Sequence, residues 1–171
     1  MNKRAILLIA ALSLSGCGLQ PLYSNGEKGT AVQMLNTVSV GPIPERAGWL
    51  VRNAIIDRIG DHGGTARYRL DIKLDDQIQG FGIRSDSTTT RERRTLRARY
   101  QLVDTSNNTT LIDATAGSDA GIDIVNSEYA TIAAEQTALE RLAGEVADQI
   151  VTHIAIQARK DEAGKGGKAT P

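Results

Sequence analysis

The sequence is poor in the side chains on which most protein chemistry is built. It holds a single cysteine, Cys17, and two histidines, His62 and His153. One thiol excludes an intramolecular disulfide framework and any zinc site made from several cysteines. Neither histidine has a Cys, Asp or Ser at the spacing of a recognisable catalytic or metal motif, which disfavours a conventional enzyme. Aromatics make up only 4% of the chain, and none interleaves with its basic residues as base stacking would need. Charge of one sign is lacking as well. Lys and Arg total 20 against 20 Asp and Glu, whereas nucleic-acid-binding domains are usually basic. The composition therefore predicts no nucleic acid as partner, and implies no cofactor and no metal.

Long hydrophobic runs are also missing. The longest, residues 5–14, is broken only by Ser13 and as a helix covers about 15 Å, half of the roughly 30 Å of hydrocarbon in a bilayer. It follows Lys3 and Arg4 and precedes Leu14-Ser15-Gly16-Cys17. A positive start, a short apolar stretch and small residues form a targeting segment, and this ending resembles the bacterial lipobox. In signals of that kind the cysteine thiol receives a diacylglycerol, the chain is cut before it, and the new amine is acylated. One acyl chain holds a membrane only marginally, and two or more make attachment effectively permanent. Residues 1–16 are thus expected to be a lipoprotein signal peptide and Cys17 the lipidation site, with the membrane reached through an N-terminal lipid. By resemblance to lipoprotein sorting rules, Gly18, where retention signals carry Asp, points to the periplasmic side of the outer membrane of a Gram-negative bacterium.

The rest has globular composition, 40% hydrophobic and 23% charged, and a length suited to one domain. Residues 17–31 read as a lipidated tether, 32–159 as a single α/β domain, and 160–171, without a large apolar side chain, as a disordered tail. Within the domain the predicted order is β-α-β-β-β-α. A strand over 32–40 ends at Gly41-Pro42. A helix over 45–59 carries Leu50, Val51, Ala54, Ile55 and Ile59 on one side and stops in a glycine-rich turn. Trp49, at the start of that helix, is expected in the core or at its edge. Residues 66–75 alternate as a strand, with Tyr68, Leu70, Ile72 and Leu74 on one face. A third strand spans 91–103. Residues 111–124 read as one bulged strand or two short ones. A final helix runs from about 127 to 158, with Leu139, Leu142, Val146, Ile150 and Ile154 in a stripe. Gly144 inside it marks either close packing or a weak point. The expected fold class is α/β, a two-layer sandwich: a small four-stranded sheet covered on one face by two helices, the other face polar.

That polar face carries the densest signal in the chain. Arg91, Arg93, Arg97 and Arg99 share one strand face, with Arg94 adjacent and turned the other way. Arginine grips phosphate and carboxylate with two parallel hydrogen bonds, so a row of it suits a phosphorylated headgroup or an acidic partner surface. The competing account is a salt-laced solvent face. Asp71, Asp75, Asp113, Asp119 and Asp123 fall on the same side, and exposed pairs of this kind, worth about 0–1 kcal/mol each, need no function to explain them. Residues 80–90, rich in Gly, Ser and Thr, form a loop between the second and third strands. No helix follows it, as a phosphate cradle would need. Phe81 and Ile83 near its tip suit insertion into a partner or membrane surface.

Several short stretches, in a fixed order, resemble a known family. They are Cys17-Gly18-Leu19-Gln20-Pro21-Leu22-Tyr23, then Arg46-Ala47-Gly48-Trp49-Leu50-Val51-Arg52-Asn53, Tyr68-Arg69-Leu70, Gly82-Ile83-Arg84, Thr90-Arg91, Arg99-Tyr100-Gln101-Leu102 and Tyr129-Ala130-Thr131. Together they are similar to the outer-membrane lipopolysaccharide-assembly lipoproteins, the LptE family. The resemblance implies a non-enzymatic protein that plugs the lumen of an outer-membrane β-barrel, LptD, assists its assembly, and promotes lipopolysaccharide insertion. Arg91, Arg93, Arg97 and Arg99 then become candidate contacts to lipid A phosphates or acidic barrel loops. The alternative within binding proteins is an auxiliary lipoprotein of a phospholipid ABC-type transport system. A periplasmic hydrolase would instead need His62 or His153 to converge with a serine and an acid.

Overall fold

The computed structural model describes residues 29–63, 66–83, 89–125 and 127–166. The expected signal peptide, Cys17 and nearly all of the tether lie outside these residues, as do 84–88 and 167–171. The first element is a helix, α1 (Thr30–Leu35), which leads into a three-residue strand, β1 (Val38–Val40). This corrects the strand expected over 32–40. Ala31, Met34 and Leu35 are spaced three and four apart and are all buried, a helical stripe in a segment too short to display its period. Pro42 and Pro44 then end β1, since neither offers an N–H.

Helix α2 (Glu45–Ile59) has the predicted bounds. It stops at Gly60, whose φ of 85° is open to glycine at little cost and whose N–H bonds the Ile56 carbonyl at 2.7 Å. Its buried stripe is Ala47, Gly48, Val51, Ile55 and Ile59. Trp49 lies off that stripe and is 62% exposed, so its expected place in the core is corrected by helical phase. Strands β2 (Tyr68–Ile83), β3 (Thr89–Asp104) and β4 (Thr109–Asp123) form an antiparallel meander. With β1 parallel to β2, the sheet is mixed, in the order β1-β2-β3-β4. β2 runs well past the predicted limit of 75, because its run of polar residues still pairs with β3. β4 is one strand. Leu102 faces Ile112 and Val103 faces Thr110, so Leu111 is the extra residue of a bulge.

Ser127 opens the last helix, α3 (Glu128–Gly166), by accepting the Ala130 N–H on its hydroxyl and the Thr131 N–H on its carbonyl. The helix continues past Ala158 through good helix formers, Lys160, Glu162 and Ala163, into the segment expected to be a disordered tail. Despite its 39 residues, no helix among the described residues is long and apolar enough to cross a membrane. Helices α2 and α3 pack on one sheet face, with α1 against α3, around a single core that includes Val51, Ile55, Leu70, Leu96, Tyr100, Leu102, Leu142, Val146, Ile150 and Ile154. The predicted two-layer α/β architecture and its β-α-β-β-β-α order hold, with α1 added in front. Among the described residues no element covers the opposite face of the sheet.

Candidate functional site: a charged ladder on the open sheet face

Register fixes the layout of the open face. From the β2/β3 tip inward, the rows across β2, β3 and β4 read Phe81-Arg91-Asp123, Gln79-Arg93-Gly121, Gln77-Thr95-Asp119, Asp75-Arg97-Gly117, Lys73-Arg99-Thr115 and Asp71-Gln101-Asp113. All four predicted arginines share this face, and all are exposed. Most of their charge is answered by aspartates. Arg91 Nε reaches Asp123 at 2.8 Å, Arg99 meets both Asp113 oxygens at 3.1 and 3.2 Å, and Arg93 lies a loose 3.9 Å from Asp119. Gln101 adds a 2.8 Å hydrogen bond to Asp113. The Arg99 and Gln101 donors hold the Asp113 carboxyl below its usual range, and Asp113 in turn raises Arg99. Arg93 also stands over the Phe81 ring, 5.4 Å from its centre.

Arg97 differs from the other three. Among the described residues it has no ion-pair partner, and neither has Lys73 one row away. Asp75, directly across from Arg97, accepts hydrogen bonds from Gln77 instead. The Arg97 stem lies over Gly117, where an added Cβ would fall 2.7 Å from Arg97 Cδ. Glycine there gives the arginine its bed. A recess of about 380 Å³ borders this region, lined by Pro42, Asp71, Ile72, Lys73, Arg99 and Gln101.

A second charged group sits on the covered face, where position parity alone placed it. Arg94 shares the face of Leu96 and makes a two-pronged bond to Asp76, at 2.9 and 2.6 Å, while donating to the Glu135 carbonyl of α3 at 2.9 Å. These side chains are only 12% and 18% exposed. Beside them, Glu92 leaves its Oε2 buried without a hydrogen-bond partner. Burial, and then the neighbouring Glu135, push the Glu92 carboxyl above its usual range. Sequence reading missed this cluster, although charges at the parity of Leu96 and Ala98 were the available signal.

The two histidines lie in different parts of the fold. His62 Nε2 lies 2.6 Å from the Ile59 carbonyl in the turn after α2, and His153 Nδ1 lies 2.6 Å from the Tyr100 hydroxyl. No group of three metal-capable side chains occurs among the described residues.

Fold and site together define a helix-covered, four-stranded domain with a charged, exposed sheet face. The chain belongs to the LptE family, described as lipopolysaccharide-assembly, whose pattern matches residues 35–154. The family is one of non-enzymatic lipoproteins. No curated protein sequence matches the chain. Among solved structures, a candidate lipoprotein from Caulobacter crescentus is similar at 24% identity and a TM-score of 0.65, over 77% of this chain and 98% of that one. A minor lipoprotein from Acinetobacter baumannii is similar at 12% identity and a TM-score of 0.57, over 70% and 90%. Rare lipoprotein B from Shewanella oneidensis is similar at 11% and 0.53, over 74% and 97%. At these identities the likenesses establish the fold.

Proposed function

We propose that this chain is an outer-membrane lipoprotein, acylated at Cys17 after removal of residues 1–16, that sits in the lumen of the LptD barrel, assists its assembly and promotes lipopolysaccharide insertion. The observation that carries this reading is the combination, in one chain, of a lipobox ending in its only cysteine and a domain of the lipopolysaccharide-assembly family. The uncovered sheet face supports it chemically. A ladder of alternating arginine and aspartate suits a polar barrel interior, where each pair can exchange one partner for another at little cost. Arg91, Arg93 and Arg99 are held by aspartates, so Arg97, with Lys73 beside it, is the guanidinium most available to a lipid A phosphate.

Detergent extraction of the native complex tests the reading. The expected result is a stoichiometric outer-membrane barrel bound to a chain whose intact mass begins at an acylated Cys17, and loss of both from the outer-membrane fraction in Cys17→Ala. Arg97→Glu is expected to weaken lipopolysaccharide binding about tenfold, the loss of one charge-assisted contact worth about 1.5 kcal/mol, with thermal unfolding unchanged. Recovery with a phospholipid transporter, or a chain that keeps its first methionine, would overturn the proposal. Unaltered affinity in Arg97→Glu would return the arginine row to a solvent face.

A further inference from the structure

The sheet is left unfinished on one side. β1 pairs with β2 only from Val38 to Val40, opposite Tyr68 to Leu70, and one more bond follows, from Gly41 N–H to the Leu70 carbonyl at 3.1 Å. Pro42 and Pro44 then carry the chain away. The Tyr68 N–H and the Leu70 carbonyl both point to the β1 side. Strand alternation therefore directs the N–H and C=O groups of Ile72, Leu74, Asp76, Ile78 and Gly80 to that same edge. No strand among the described residues pairs with them. The 380 Å³ recess, lined by Pro42 and Ile72 together with Asp71, Lys73, Arg99 and Gln101 of the open face, adjoins the point where β1 stops.

The opposite edge is managed differently. In the middle of β4, the Gln149 side chain of α3 accepts the Gly117 N–H at 3.1 Å and donates to the Gly117 carbonyl at 3.2 Å, standing in for a neighbouring strand. The bulge at Leu111 interrupts β4 near its start. Exposed strand edges are usually blunted by such devices, and an unblunted one is a template for strand addition.

We propose that the open edge of β2, from residue 72 to 80, is a docking site for an extended segment of a partner protein, which adds a strand where β1 stops. The segment has alternating chemistry. Its inward side chains lie beside Leu74 and Ile78, the latter 42% exposed, and are apolar. Its outward side chains near Asp75 are basic or neutral. A second copy of this chain fits less well, because a two-fold antiparallel pairing centred on this stretch sets Asp76 against its own counterpart and the two Asp75 carboxylates diagonally across from each other. The inference is independent of which envelope protein the chain binds.

Hydrogen exchange resolved to single amides, on the full mature chain alone and in its detergent-extracted native complex, tests this. In the chain alone, the amides of residues 72, 74, 76 and 78 should exchange fast while 73, 75 and 77, bonded to β3, exchange slowly. In the complex the even set should slow by on the order of a hundredfold. An Ile78→Pro variant removes an edge-facing N–H and leaves the β3 ladder intact. It should keep the circular dichroism spectrum and abolish the added protection, and Ile78→Lys should do the same if the proline is not tolerated. Fast even amides in a complex that retains its partner would overturn the proposal. So would even amides already slow in the dilute chain alone, which would mean that the chain covers its own edge, or protection that grows with the concentration of the isolated chain, which would mean a second copy.

Discussion

Among the described residues Glu92 alone has a buried side-chain oxygen without a hydrogen-bond partner, and its neighbours explain why. Arg94 from β3 is committed to Asp76 of β2, Glu135 of α3 adds a like charge, and β4 offers only Ile122 and Ala120 on this face. A carboxyl whose value is raised by folding favours the folded state below its ordinary titration range. It loses that advantage as pH climbs through the raised value. At neutral pH its charge is therefore a cost. Glu92→Gln keeps the shape and removes the charge, and should raise Tm at pH 7 by about 2–4 °C, the shift that about 1 kcal/mol gives in a chain of this size. The gap between variant and parent should close as pH falls below the ordinary glutamate range, where Glu92 is protonated in both states. A gap that widens on acidification would contradict this account of the cluster. Asp104 has the opposite sign. Two bonds from Ser106, then Arg67, hold its carboxyl below the usual range. Its contribution is present above the ordinary range and disappears only as pH drops through the lowered value.

At the scale of elements, two helical glycines look alike in sequence and differ in surroundings. A Cβ on Gly48 of α2 would stand 2.6 Å from the Ile43 carbonyl oxygen and 2.7 Å from its carbon, backbone that cannot step aside. A Cβ on Gly144 of α3 meets nothing closer than Arg58 Nη2 at 3.9 Å. Gly48→Ala should therefore destabilise the domain by about 1–3 kcal/mol, whereas Gly144→Ala should stabilise it by up to about 1 kcal/mol. Urea unfolding of the two variants checks the opposed signs. Gly144 is thus the weak point that its sequence position allowed, and Gly48 the close contact. What was legible follows the same logic of length and period. α2, the clean alternation of β2 up to Leu74, and the stripe of α3 each repeat their pattern often enough to declare themselves. α1 has too few residues for that. The outer half of β2 was hidden because Asp75, Asp76 and Gln77 break the alternation. There the reason for Asp76 is Arg94 on the next strand, a partner that only the register reveals. The arginine row was readable as a row. Arg97 alone of the four lacks an aspartate partner although Asp75 sits directly across from it, whereas Arg93 and Arg99 reach diagonally to Asp119 and Asp113, and neither the pairing nor the reach is written locally.

At the scale of the whole molecule, the domain has a tight end and a loose one. The chain enters at Gly29 and passes through α1 and Thr37, whose carbonyl accepts the Tyr68 N–H at the start of β2. From there to Ile83, the 16 residues of β2 span about 50 Å. The largest fully buried side chains, among them Tyr100, Ile55, Leu70, Leu102, Ile150 and Ile154, all lie toward the entry end, with Leu96 the last of them on β3. Beyond Leu96 the cover thins. Ile78, Phe81, Val125, Tyr129 and Ile132 are exposed, and the bond from Arg94 to the Glu135 carbonyl ties the first turns of α3 down. Local stability follows local burial, so the far end should open without the near one. In native-state hydrogen exchange under rising denaturant, amides of residues 91–93, 119–123 and 130–134 should exchange through a smaller opening, with weak denaturant dependence. Those of 98–102 and 146–154 should wait for global unfolding with its full dependence on surface exposed. A single merged isotherm for both sets would mean one cooperative unit instead. The ordering matters for the proposed role, because the looser end, with its exposed apolar side chains, is the part of the domain that can rearrange on a partner at least cost.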